Sequence, residues 1–279
     1  MNSLLDKIKE YINDVAYNVK NAFSLKNSLD KIIESEYKKA FESLHKYVII
    51  EYIESNYKIN YIKPKLEILE DEPSINGAYL QFVNEIIISK KSIERKIDSQ
   101  FLNMSYNSIF LYPLYINERN IRKAITESFI RSVMFHEIWH SIDFSILHKL
   151  VKDSTIKDID YFTISKNLEL RASAFQVVIY YLVNGLHKDE KGYIASYANI
   201  PTCRNYIEEI NELQNDEDKN KYVPYDLGFC YGNIIVAKYG PSLKENIYKI
   251  IDDIIHLDKE RAIDVIKYYG DNPDKLLHD

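Results

Sequence analysis

Residues 135–144, FHEIWHSIDF, contain two histidines four positions apart, with a glutamate directly after the first. On an α-helix, positions i and i+4 lie about 6 Å apart along the axis and about 40° apart around it, so His136 and His140 point the same way. Two imidazoles on one face can chelate a metal ion, and imidazole nitrogen suits zinc well. Glu137 is rotated about 100° from His136, so its carboxylate can reach past the metal rather than bind it.

A catalytic zinc site needs a third protein ligand and an open position for water. The segment NLELRASAF, residues 167–175, lies on the next predicted helix. Glu169 is the strongest candidate ligand, because the intervening loop allows the two helices to cross at the metal. The aspartates of that polar loop are weaker candidates: Asp153, Asp158 and Asp160.

The competing interpretation is a helix that merely buries two histidines. The HExxH pattern arises by composition alone in roughly one chain in a hundred of this length. Three features favour a metal site over this alternative. The motif lies on a predicted helix, it follows a segment rich in β-branched residues, and a helix with a suitable carboxylate comes after it.

Apolar residues at helical spacing predict the helices that must position these side chains. Long helices are predicted over 28–54 and 118–150, with a shorter helix before the first. A further helix is predicted over 165–183, where Asn184-Gly185 is a good stop signal. Shorter helices are predicted over 204–215, 224–239, 242–256 and 258–269.

Between the first two long helices, the pattern changes to one typical of strands. Strand candidates are 57–70, 77–89 and 108–116, with Pro113 indicating an edge position for the last. The prediction is one helix-rich α+β domain over 1–279. It comprises N-terminal helices (1–56), a small sheet (57–116), the helices of the metal site (118–185) and a helical C-terminal part (186–279).

Composition limits the partners and the cellular location. The net charge is −6 and the lysines are interspersed with acidic residues, which disfavours a nucleic-acid partner. No secretory signal and no membrane-spanning run is visible, so the expected location is the cytoplasm, with no membrane partner. Cys203 and Cys230 are expected to be free buried thiols in a reducing compartment, with a single bridge as the alternative.

Taken together, the HExxH helix and the following glutamate resemble the active site of gluzincin-type zincin metallopeptidases. About 60 residues carry this resemblance. Within that group, ELRASAF (169–175) is similar to the E-x-x-A-x-x-F pattern of ImmA/IrrE-type proteins, and HEIWHSID (136–143) is similar to the HExxHxxD form of lethal-factor-type domains. The sequence departs from many relatives at Trp139, where glycine is common, so the indole is expected to pack against the sheet or a neighbouring helix.

The resemblance implies a zincin-like fold, one zinc ion per chain and a peptide or protein substrate. His136, His140 and Glu169 would hold the metal, and Glu137 would be the general base of peptide-bond hydrolysis. A strand edge within 79–89 or 108–116 would bind the substrate backbone.

Gluzincins also supply a group that stabilises the oxyanion. Here Tyr161 resembles that group by its position before Glu169, and Tyr225, Tyr231 and Tyr239 are its rivals.

Two neighbouring charges have less certain roles. Asp143 follows His140 by three residues and could orient a ligand histidine, or could be a solvated or capping residue. Arg171 should face away from the metal and form a structural salt bridge. Two other functions stay open: a zinc hydrolase that acts on a non-peptide amide, and a catalytically inactive zincin-like binding or regulatory module.

Overall fold

A small sheet and a larger set of helices form the protein, which is α+β and helix-rich as the sequence predicted. The computed structural model describes residues 29–72, 74–108, 118–153, 161–185, 200–213 and 223–277. Within these ranges, no helix combines the length and the apolar character that a bilayer crossing requires. The assignment of the whole chain to one domain stays a prediction.

The predicted helix over 28–54 is two helices, α1 (Leu29–Lys46) and α2 (Ile49–Tyr57). The helix is interrupted at Val48, whose φ of 58° lies in the left-handed region that a β-branched residue rarely occupies. Apolar side chains on both sides of the break still face the core, as Leu44 and Ile49 show. The apolar pattern therefore continues across the break and hides it. The shorter helix predicted before residue 28 lies outside the described residues.

The sheet has three strands: β1 (Lys65–Leu69), β2 (Gly77–Leu80) and β3 (Glu85–Ser89). Strand β3 is central, with β1 parallel to it on one side and β2 antiparallel on the other. The single strand predicted over 77–89 is therefore wrong, because this segment folds into a hairpin. Its turn residue Asn84 has a φ of 54°.

Helix α3 (Lys90–Ser108) follows β3 directly and was missed, because the sheet was predicted to extend to residue 116. Ile93 and Ile97, one turn apart, are buried on its inner face. Of the strand predicted over 108–116, Ser108 is the last residue of α3, and 109–116 lie outside the described residues.

The two helices of the predicted metal site are α4 (Glu118–Lys152) and α5 (Tyr161–Asn184). Helix α4 confirms the predicted 118–150, and α5 begins four residues before the predicted start at 165. Gly185, with a φ of 71°, follows the last residue of α5 as the stop signal predicted.

In the C-terminal part, the described residues 200–213 and 223–277 are mostly helical. Its α-helices are α6 (Ile200–Leu213), α7 (Val223–Tyr239), α8 (Ile247–Ile255) and α9 (Lys259–Asp271). Helix α7 lies against α5 at backbone contact distance. A Cβ atom on Gly228 would be 2.2 Å from the carbonyl oxygen of Leu170, and one on Gly232 would be 2.9 Å from that of Ala174. At these two positions, only glycine fits without displacing the neighbouring helix.

The cysteines are not free thiols, so that expectation is wrong. Cys203 on α6 and Cys230 on α7 form a disulfide, with their Cα atoms 5.5 Å apart. The pairing depends on the packing of α6 against α7, which the sequence did not predict. Because disulfides are rare in reducing compartments, the argument from free thiols to such a compartment no longer holds. The cytoplasmic location stays a prediction.

Candidate metal centre

Three predicted ligand residues meet where α4 and α5 face each other. Glu169 Oε2 lies 3.0 Å from His136 Nε2 and 3.3 Å from His140 Nε2. One ligand atom from each residue lies within 4.8 Å of the others. The histidine side chains are about nine-tenths buried, while that of Glu169 is 34% exposed. The centre is therefore enclosed by the fold and reached from the glutamate side.

The spacing of these atoms fits a metal ion. Donor atoms placed about 2.0–2.1 Å from a tetrahedral ion lie about 3.3 Å from one another. The two distances from Glu169 Oε2, 3.0 and 3.3 Å, agree with that value. Two imidazole nitrogens and one carboxylate oxygen are also a common donor set of catalytic metal sites. The group could therefore hold a metal ion with only small movements of its side chains.

The charge state of Glu169 suits a ligand. Burial acts to raise the pKa of its carboxyl group, but hydrogen bonds and positive charge from His136 and His140 outweigh burial. The pKa is therefore held well below its usual range. The ionised carboxylate is the form that binds a cation.

His136 is oriented by a chain of polar contacts from the opposite side of its ring. Its Nδ1 lies 3.1 Å from Gln176 Oε1, and Gln176 Nε2 donates to Ser132 Oγ at 2.6 Å. With the Nδ1 proton donated to Gln176, the lone pair of Nε2 points to the metal position. Sequence reasoning missed both residues. The available signal was helical spacing, since Gln176 lies two turns after Glu169 and Ser132 one turn before His136.

Glu137 lies beside the centre and under the edge strand β2. It is buried, and its carboxylate accepts a hydrogen bond from the backbone of Tyr79. A Cβ atom on Gly77 would lie 3.2 Å from Glu137 Cγ, so the strand passes close over this side chain. Burial, helped by the negative charge of Glu169, raises the pKa of Glu137 to about 7 against the opposing effects of His136 and the Tyr79 hydrogen bond. A carboxyl group with this pKa can exchange protons near neutral pH.

The tyrosines considered for stabilising the oxyanion lie in different parts of the structure. The Tyr225 ring stacks on the His136 ring, with centroids 5.7 Å apart and planes 8° apart. Tyr231 is buried in the core, and the Tyr239 ring lies beneath the ammonium group of Lys249. The side chain of Tyr161, the first residue of α5, lies outside the described residues. Tyr225 is therefore the described candidate that the fold brings to the metal centre.

Asp143 and Arg171 join the two ligand helices on the far side of the centre. Arg171 Nη1 donates to Asp143 Oδ1 at 3.1 Å, and Arg171 Nε donates to the Leu257 carbonyl at 2.9 Å. The predicted salt bridge of Arg171 is thus confirmed. Asp143 is 2% exposed, so it is not solvated, and both oxygens of its carboxylate accept hydrogen bonds from Arg171. Burial raises the pKa of Asp143, against the lowering effect of Arg171.

Trp139 packs as the sequence suggested. Its indole stacks on Phe175 of α5, with ring centroids 4.3 Å apart, and both side chains are fully buried. The bulky residue between the two histidines therefore joins α4 to α5 at the level of the metal ligands. Phe175 belongs to the ELRASAF segment, six residues after Glu169.

Comparisons with known proteins add no assignment. Searches of protein-family models, curated proteins and solved structures each returned no match for this chain. The functional interpretation therefore rests on the chemistry of the centre itself, namely the three converging ligands and the buried glutamate beside them.

Proposed function

We propose that the protein is a zinc-dependent metalloendopeptidase whose active site resembles that of the gluzincins. One observation carries the proposal: His136, His140 and Glu169 each bring a ligand atom within 4.8 Å of the others, and the buried carboxylate of Glu137 lies next to them. A helix that only buries two histidines would require neither Glu137 nor Glu169 beside them. The proposed metal is zinc, one ion per chain, because two imidazoles and one carboxylate are typical of catalytic zinc sites.

In this proposal the chain supplies the proton transfers. Bound zinc would lower the pKa of a coordinated water to about 7 and polarise the substrate carbonyl. Glu137 would accept a proton from the attacking water and then donate it to the leaving amine. A nearby cation lowers the pKa of a carboxyl group, so Glu137 would be ionised at neutral pH when the metal is bound.

The edge strand is the feature that favours a peptide as substrate. One side of β2 pairs with β3, and the Tyr79 backbone on β2 reaches Glu137. An extended peptide could add to the outer edge of β2 and bring its carbonyl to the metal. The sequence predicted a substrate-binding edge within 79–89 or 108–116. Within 79–89, β2 is the strand with a free edge, because β3 is the central strand of the sheet.

Tyr225 is the residue we propose for stabilising the oxyanion, in place of Tyr161. Its ring lies on the ring of His136, so a small rotation would bring the phenol to the substrate carbonyl. Changing Tyr225 to phenylalanine keeps the stacking and removes only the hydroxyl. That variant should lose kcat while its zinc affinity is unchanged.

The test begins with the metal content of purified protein, measured by mass spectrometry for wild type, His136→Ala, Glu169→Gln and Glu137→Gln. We expect about one zinc per wild-type chain, none in His136→Ala and weaker binding in Glu169→Gln. Glu137→Gln should retain zinc. Hydrolysis is then followed with a pool of quenched fluorescent peptides of random sequence, which wild type should cleave and Glu137→Gln should not.

Each other outcome selects an alternative. Zinc binding without peptide cleavage, but with hydrolysis of another amide, would favour the non-peptide hydrolase. Zinc binding without any hydrolysis would favour the inactive binding module. Wild type that stays metal-free in excess zinc would refute the proposal, as would full activity of Glu137→Gln.

A further inference from the structure

The turn between β2 and β3 carries the most exposed large apolar side chain among the described residues. Phe82 is 95% exposed, and its neighbours Val83 and Leu80 are 54% and 41% exposed. We call residues 80–84 the hairpin tip. Ile62 lies beside it, since it is 65% exposed and its carbonyl accepts a hydrogen bond from Asn84 Nδ2 at 3.1 Å. The tip is therefore an exposed apolar cluster rather than one isolated side chain.

The fold gives no internal reason for these apolar residues. The sheet contributes Ile86 and Ile88 to the core, whereas the tip lies beyond the end of the paired strands. The turn is nevertheless held in place, because Lys65 N donates to the Asn84 carbonyl at 2.9 Å and the Tyr79 hydroxyl donates to Asn84 Oδ1 at 3.0 Å. Solvated turns are usually built from small and polar residues. A contiguous exposed apolar cluster on an ordered turn marks an interaction surface.

The charge around the tip is opposite to that of the whole chain. Segments 58–66 and 75–84 build the tip and its surroundings, and they contain three lysines and no acidic residue, although the chain has a net charge of −6. Lys65 is exposed and joins the turn through its backbone, while Lys63 places its ammonium group over the Phe41 ring. One acidic residue, Glu85, is the register partner of Lys65. This side of the sheet therefore stays positive.

We propose that the hairpin tip binds the surface of an anionic lipid membrane, with Phe82 and Val83 inserted between the lipid headgroups. Apolar side chains next to basic ones are the two features by which segments bind at the membrane interface. A protruding tip suits a fluid lipid layer, which needs no preformed pocket to receive it. The negative charge of the rest of the chain would be repelled by the same surface, so it favours the orientation that turns the tip towards the lipid.

This inference goes beyond the proposed function and does not depend on it. The expectation of no membrane partner was drawn from the lack of a membrane-spanning run, and insertion of a few side chains needs no such run. Docking would also bring the candidate metal centre near the membrane. The Tyr79 backbone contacts Glu137, and the three residues from Tyr79 to Phe82 span at most about 11 Å. Polypeptides held at the membrane surface would then be within reach, a consequence that does rest on the proposed function.

Flotation of the full-length protein with large unilamellar vesicles tests the binding. The vesicles contain phosphatidylcholine alone or with about one-third phosphatidylserine, which supplies the negative surface potential. Wild type should float with the anionic vesicles. Phe82→Ser/Val83→Ser should weaken this binding at least about tenfold, because two inserted apolar side chains are lost. Phe229→Ser/Val151→Ser is the matched control, since these residues are 47% and 52% exposed and lie on α7 and α4, and it should bind as wild type does.

The charge contribution is tested by Lys65→Gln. This variant should bind the anionic vesicles several-fold more weakly, and added salt should reduce the difference from wild type. Lys152→Gln is the control, because Lys152 is equally exposed but ends α4, and its affinity should be that of wild type. Circular dichroism verifies the fold of each variant.

Insertion itself is measured with Phe82→Trp. Its added indole should shift to shorter emission wavelengths with anionic vesicles and should be quenched by brominated lipids. Phe229→Trp should show neither effect. Trp139 is fully buried and contributes the same background to both variants.

The contrary results are specific. No flotation of wild type would overturn the proposal, as would equal flotation of wild type and Phe82→Ser/Val83→Ser. Equal binding to neutral and anionic vesicles would overturn the assignment of an anionic surface. Dimers of wild type that Phe82→Ser/Val83→Ser abolishes, without flotation, would assign the tip to a second copy of the chain instead. Zinc content and peptide cleavage are measured without vesicles, so failure of the proposed function is recognised separately.

Discussion

Replacing Arg171 with methionine should destabilise the protein by about 3 kcal/mol at pH 7, because it leaves the Asp143 carboxylate buried without a cation. The magnitude follows from burial, since the side chains of Arg171 and Asp143 are only 17% and 3% exposed. Loss of one partner of such a pair typically costs roughly 3–5 kcal/mol. The hydrogen bond from Arg171 Nε to the Leu257 carbonyl is lost as well.

The assay is urea unfolding followed by circular dichroism, in chelator so that metal binding does not contribute. Arg204→Met is the matched control. Its ion pair with Asp271 is 3.2 Å long but has side chains 52% and 59% exposed, so its removal should cost less than about 1 kcal/mol. The double variant Asp143→Leu/Arg171→Met should be close to wild type, because no unpaired charge is left.

The loss of stability in Arg171→Met should shrink as the pH is lowered from 7 towards 4. Burial raises the pKa of Asp143 above its unfolded value, and removal of the guanidinium raises it further. A carboxyl group with a raised folded-state pKa favours the folded state below its unfolded pKa, and this contribution is lost as pH rises through the folded pKa. A cost no larger than that of Arg204→Met, or one independent of pH, would refute the assignment of a buried ion pair.

Three further perturbations have definite expected results. Glu137→Gln should retain zinc and lower kcat by roughly 10²–10⁴-fold, measured with the cleaved peptides, and an unchanged kcat would exclude Glu137 as the base. Gln176→Leu should weaken zinc binding roughly 10–100-fold in a chelator competition assay, because His136 loses its Nδ1 partner, and wild-type affinity would contradict that role. In the zinc-free protein, burial raises the pKa of Glu137 from 4.5 to about 7, so wild type should lose stability relative to Glu137→Gln as pH rises through this window, by about 3 kcal/mol in total. Parallel pH profiles of the two proteins in thermal unfolding would show that Glu137 is not buried as described.

The ligand set was predictable because it depends on helical geometry and one loop. His136 and His140 share a helix face by their spacing alone, and Glu169 follows from the next helix. Gln176 and Ser132 depend on how α4 and α5 pack, and periodicity does not determine that packing. The Asp143–Arg171 ion pair was equally unpredictable, because it also depends on how α4 packs against α5.

The long helices α4 and α5 were predictable from their apolar period, whereas the break at Val48 was missed because the same period continues across it. The hairpin within 77–89 has Asn84 as its only clear turn residue, so the segment looked like one strand. Helix α3 was missed because its few apolar residues follow a strand without a break. The Cys203–Cys230 bridge joins two cysteines that are 27 residues apart in the chain, and no local pattern encodes that contact.

The close packing of α7 on α5 divides α7 into two faces with different freedom to change during evolution. Any side chain at Gly228 would press on the Leu170 carbonyl, so substitution there would displace the backbone next to Glu169, a residue of the candidate metal centre. Phe229 is adjacent in sequence but 47% exposed, so its replacement would not move that backbone. Consecutive residues thus differ in what they tolerate, and the exposed face of α7 could change during evolution while the candidate metal centre is preserved.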